Sequence, residues 1–137
     1  MNLNICIYKV MLPVLCLLEI MLLVFLIVPS TAVIAADSSE KVSTEITQLI
    51  SFVENSNCKF NRNGRWYSGE EAAKHISKKY LYVKKRGLIK TAEDFIHYAA
   101  SKSSMSGKVY KVQCNDRELI TCSDWLTAEL KNYREVQ

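Results

Sequence analysis

Several chemistries are missing from this chain of 137 residues. Histidine is scarce, and His75 and His97 stand apart from Cys58, Cys114 and Cys122, so no recognised metal-ligand spacing results. No metal is expected, and nothing points to a cofactor. A Gly-x-Ser-x-Gly nucleophile elbow is absent. The serine-rich segment 101–108 ends in Gly107-Lys108, but it lacks the first glycine of a phosphate loop and carries Val109 where a hydroxyl residue belongs. It reads as a polar helix end, with an anion- or glycan-binding turn as the functional alternative. No repeat and no recognised nucleic-acid-binding motif is present, so nucleic acid is not an expected partner. Acidic residues are absent between Lys74 and Lys90, where seven bases lie.

What is present begins with an apolar leader. Residues 10–28 carry one charge, Glu19, and are followed by Pro29-Ser30-Thr31 and then Val33-Ile34-Ala35-Ala36. Lys9 ahead of an apolar stretch, with small residues after it, is the layout of a secretory signal cleaved after Ala35. Glu19 costs about 2.5–3.5 kcal/mol on insertion scales, yet residues 20–28 still form an adequate hydrophobic region. Residues 10–28 are also just long enough to serve as a retained inner-membrane anchor. The expected division is a signal peptide over 1–35 and one small mature domain over 36–137, periplasmic or secreted. The net charge of +4 favours anionic neighbours only weakly.

Export places the three remaining cysteines in an oxidising compartment, where one pair and one odd thiol are expected. Cys58 and Cys114 lie in short strand-like segments and are the favoured pair; Cys58–Cys122 is the alternative. The odd thiol is then a small hydrophobe, an intermolecular partner or a reactive group.

Patterning predicts an α+β fold of four helices and two short hairpins that form one small antiparallel sheet in a single compact domain. Val42, Ile46, Leu49, Ile50 and Val53 make a helical stripe over 40–54, capped by Asp37 or Ser39. Asn63-Gly64 fits a tight hairpin turn between 58–60 and 65–67. Ser68 and Glu71 form a capping box for a helix to about Arg86, ended by Gly87. Thr91 to Asp94 opens another helix, with Phe95, Ile96 and Ala99 inward. Tyr110, Val112 and Cys114 alternate as a strand, 118–121 returns as its partner, and Ser123 caps a last helix carrying Leu126, Leu130 and Tyr133.

A string of motifs carries a resemblance: 58–67 (Cys-Lys-Phe-Asn-Arg-Asn-Gly-Arg-Trp-Tyr), 71–75 (Glu-Ala-Ala-Lys-His), Lys79-Tyr80, 90–96 (Lys-Thr-Ala-Glu-Asp-Phe-Ile) and 103–110 (Ser-Ser-Met-Ser-Gly-Lys-Val-Tyr). Over about residues 46–134 the chain resembles the YfeK-like exported bacterial proteins, domain-of-unknown-function family 5329. The resemblance implies an envelope-resident protein of Gram-negative bacteria and implies no activity. Cys122 stands where the family pattern suggests a small or polar residue.

Three sets of residues are candidates for function. Arg62, Arg65, Trp66 and Tyr67 cluster at the first hairpin and are of the types enriched at binding hot spots, although the favoured reading makes Trp66 core with Arg62 and Arg65 flanking it in water. Lys74, Lys78 and Lys85 lie opposite the apolar stripe of their helix, on a face suited to anionic lipid, phosphate or an acidic protein, or serving only to complement the helix dipole. Glu71 and His75 are one helical turn apart, so the carboxylate could orient the imidazole and raise its pKa, with Cys58 as a nucleophile nearby. The plainer reading is a surface pair. These features favour a non-enzymatic domain that binds an envelope protein or an anionic envelope component. A small hydrolase using Cys58 or a serine with His75, and a structural protein contacting anionic membrane through its basic helix, are the alternatives.

Overall fold

Why the first helix begins early is explained by what its sequence does not contain. The computed structural model describes residues 32–115 and 117–137, with side chains from Ser38 onward; the leader and the candidate anchor over 10–28 lie outside the described residues. α1 spans Ala32–Glu54. Its backbone runs helically through Asp37 and Ser39, so neither is the expected cap. No glycine or proline interrupts 32–54, and a polar residue without a breaker does not end a helix whose neighbours are good helix formers. Ile46, Leu49 and Val53 are buried as the stripe predicts. The helix stops where the Asn55 amide and side chain both donate to the Ser51 carbonyl and the Ser56 hydroxyl donates to that of Val53.

The first hairpin joins β1 (Cys58–Arg62) to β2 (Arg65–Tyr67). Asn63 and Gly64 take φ of 54° and 85°, the left-handed pair that a tight primed turn demands. α2 (Gly69–Lys85) opens with the expected capping box: the Ser68 amide donates to the Glu71 carboxylate at 2.8 Å, and the Glu71 amide donates to the Ser68 hydroxyl. At its other end Gly87 sits at φ 70°, its amide donating to the Lys84 carbonyl while that of Leu88 donates to Val83. This is a Schellman closure.

α3 (Ala92–Phe95) is capped by Thr91 and Asp94 as expected, then widens into a π-helical turn over Ile96–Ala100. The widening has no signature in the sequence pattern. β3 (Lys111–Cys114) and β4 (Ile120–Thr121) follow, and α4 spans Cys122–Glu135. Its cap is Thr121, whose hydroxyl accepts from the Asp124 amide at 3.0 Å, and not Ser123. Both are hydroxyl residues before an apolar run, but only Thr121 has an acid three positions on. The helix therefore starts early and leaves β4 two residues long.

The four strands form one antiparallel sheet in the order β2-β1-β3-β4, so the two hairpins meet through β1 and β3. Phe60 and Val112 are register partners and turn inward. They join Ile46 and Leu49 of α1, Ile76 of α2, Phe95 of α3 and Leu126 and Leu130 of α4 in one core. Trp125 of α4 stacks on Phe52 with centroids 4.5 Å apart and meets Phe60 edge-on. Ala36–Gln137 is one compact unit.

Cys58 and Cys114 are cross-strand partners in the β1–β3 register and form the disulfide; the Cys58–Cys122 alternative is excluded because Cys122 is a free, buried thiol. The bond closes a separation of 56 residues, which by loop-closure entropy restricts the unfolded chain by about 4 kcal/mol. A second long-range tie is ionic. Arg134 on α4 makes a fork to the buried Glu45 of α1, both contacts at 2.8 Å, and reaches Glu93 of α3 at 2.6 Å.

Candidate functional site

The capping box fixes where α2 starts, and the hairpin turn fixes where β1 and β2 lie beside it. Between them runs a groove of about 260 Å³ lined by Arg62, Tyr67, Glu71, Lys74, His75 and Lys78. All six are residues singled out from the sequence. Lys74 and Lys78 are one turn apart on α2, and Arg62 crosses from β1, its guanidinium 4.2 Å from the centroid of the Tyr67 ring.

Three candidates stand elsewhere. Arg62 and Tyr67 share a face of the hairpin, so strand alternation sends Trp66 to the other face; it is 49% exposed and not a core residue. Arg65 pairs with Arg62 across the hairpin but does not line the groove. Lys85 lies two turns beyond Lys78, about 10 Å along the axis.

Charge in the groove is one-sided. Its single acid, Glu71, accepts from both the amide and the hydroxyl of Ser68. Those bonds, the backbone one first, hold its carboxyl below the usual range. They also remove it from His75, so the expected carboxylate–imidazole pair does not form. His75 instead meets Tyr110, Nε2 to Oη at 3.1 Å. Desolvation, helped by the positive charge of Arg62, Lys79 and Lys78, lowers its pKa to about 4, the reverse of the expected rise. The imidazole is therefore neutral across the physiological range. Burial likewise raises the Tyr110 phenol, so the contact joins two neutral groups.

Behind His75 the groove narrows to an apolar cleft of about 30 Å³ bounded by Phe60, Ile76, Tyr110, Cys122 and Leu126. That is room for a water or two. The chemistry available there is limited. The Cys58 sulfur is committed to the disulfide, which removes the nucleophile of the cysteine-hydrolase alternative. Burial pushes the Cys122 thiol up to about 12, so it carries no thiolate to attack or ligate. Two serine hydroxyls of the 101–108 segment are used internally, Ser101 to the His97 carbonyl and Ser106 to the Asn63 side chain at the hairpin tip. Asp94 accepts from the Lys90 and Thr91 amides and caps α3. Among the described residues no group of three metal-ligating side chains comes together.

Sequence patterning missed two members of this region. Tyr110 was visible as an inward strand residue, but its partner lies 35 positions away. Lys79 was visible as one base among seven. Its ammonium donates to the Lys102 carbonyl at 2.6 Å and lies 5.2 Å from the Tyr110 ring centroid, tying α2 to the segment before β3.

Fold and groove define a class: a small α+β domain, stapled by one disulfide across its central strand pair, presenting three cations around a neutral histidine. Residues 40–134 match a family of unknown function, DUF5329, and the chain belongs to that family. No curated protein and no solved structure matches the chain.

Proposed function

We propose that the protein is an exported domain of the bacterial envelope that binds rather than catalyses, and that its groove receives an anionic group of an envelope component. The observation that carries this reading is the convergence of Arg62, Lys74 and Lys78 on one concavity whose only acid is spent in a cap. Small-molecule sites start at about 300 Å³. A groove of about 260 Å³ suits a phosphate or a carboxylated sugar ring, and is too small for a lipid. Tyr67 supplies a ring for the apolar side of such a group, and neutral His75 a hydrogen bond without charge.

Export is supported by the leader, by the likeness of the motifs to the YfeK-like exported proteins, and by a disulfide that needs an oxidising compartment. The compact unit also begins at Ala36, next to the expected cleavage point.

An NMR titration with inorganic phosphate, repeated with a carboxylated sugar, tests the groove. Amide shifts should concentrate at Arg62, Lys74, His75 and Lys78. Arg62→Ala should weaken binding about tenfold, the loss of one charge-assisted contact of about 1.5 kcal/mol. Shifts scattered over every lysine of the surface, unchanged by Arg62→Ala, would refute the groove as the site.

A further inference from the structure

A second cationic surface lies where α2 ends. Leu81, Tyr82 and Leu88 are exposed there by 64%, 57% and 41%. Lys84, Lys85, Arg86 and Lys90 stand among them, all exposed. Leu81 and Lys85 share one helix face, and the left-handed turn at Gly87 returns Leu88 to the helix end. The cations cover aromatic rings: the Arg86 guanidinium is 4.2 Å from the Tyr82 centroid and the Lys84 ammonium 5.3 Å from that of Tyr80. Exposed leucines beside tyrosine and a ring of bases match what a bilayer interface selects. Tyrosine sits at the headgroups, leucine reaches past them, and each base attracts anionic lipid.

The basic end of α2 also borders a cleft against α1. Ser39, Glu40 and Val42 of α1 share that cleft with Tyr80, Lys84 and Lys90. Among the described residues Glu40 is the only acid lining that cleft.

We propose that this end of the domain, the last turns of α2 with the Gly87 turn, rests on an anionic membrane surface. The bases pair with lipid phosphates while Leu81, Tyr82 and Leu88 enter the headgroup layer. The proposal does not depend on what occupies the groove.

The test uses the protein as cells export it, with Leu81→Trp as a reporter, in vesicles of brominated phosphatidylcholine with or without phosphatidylglycerol. Quenching beyond that of the parent chain is expected only when phosphatidylglycerol is present, and salt should reverse it. A base near an anionic surface is worth about 1 kcal/mol. The combined variant Lys84→Gln, Lys85→Gln, Arg86→Gln should therefore raise the lipid concentration for half-maximal quenching about a hundredfold. Leu88→Ser, at an exposed position, should also raise it while leaving the urea midpoint unchanged. Absence of extra quenching with phosphatidylglycerol, or quenching indifferent to the three glutamines, would overturn the proposal.

Discussion

His75 shows how little a residue's neighbours in sequence decide about its chemistry. Glu71 is one turn away, but its Oε2 accepts from both the amide and the hydroxyl of Ser68, and burial beside three cations keeps the imidazole neutral. The folded pKa, about 4, lies below the ordinary value near 6.5, so the unfolded chain takes up the proton first. The stabilisation is complete above about pH 6.5 and is lost as pH falls through the folded pKa. The ring should titrate by NMR near pH 4. Between pH 6.5 and 4, His75→Gln should flatten the decline of the urea midpoint seen in the parent. A histidine titrating at 6.5 or above would contradict the burial described here. The same neutrality means that His75 adds no pH dependence to anion binding in the groove between about pH 6 and 8.

The elements were largely legible because their ends are written locally. Ser68 with Glu71, Thr91 with Asp94, Asn63-Gly64 and Gly87 each act within four residues, and each does what its chemistry predicts. Errors arose where two local signals competed, as Thr121 and Ser123 did for the start of α4. They also arose where no signal exists, as at the π-helical turn of Ile96–Ala100. Six of the nine proposed binding residues share the groove because hairpin and helix are adjacent in sequence as well as in space. The contacts between distant elements were not legible. Nothing in a heptad or a two-residue repeat links Glu45 to Arg134 across 89 positions. That tie should matter most among the surface charges. Glu45 is 3% exposed, so Arg134→Ala strands a buried carboxylate and should cost about 3 kcal/mol in urea unfolding. Glu93→Ala removes only the exposed arm and should cost under about 1 kcal/mol. Equal losses for the two variants would show that Glu45 gains nothing from the fork.

At the scale of the whole molecule, a domain of about a hundred residues has a modest core, and this one adds one covalent and one ionic tie to it. The disulfide joins the two hairpins through their shared strand pair, so the sheet and the groove edge at Arg62 are fixed together. The two cationic surfaces separate along α2, with Arg62, Lys74 and Lys78 at the hairpin end and Lys84 to Lys90 at the other. The two proposals made above assign a membrane surface to one end and an anionic ligand to the other. All of it presumes an oxidised module outside the cytoplasm. Intact mass of the protein recovered from cells, with and without reduction and after alkylation in denaturant, tests that most directly. The expected chain begins at Ala36, gains two hydrogens on reduction, and holds one thiol that alkylates only when unfolded. A full-length chain in the soluble cell interior, with Cys58 and Cys114 both free, would contradict it.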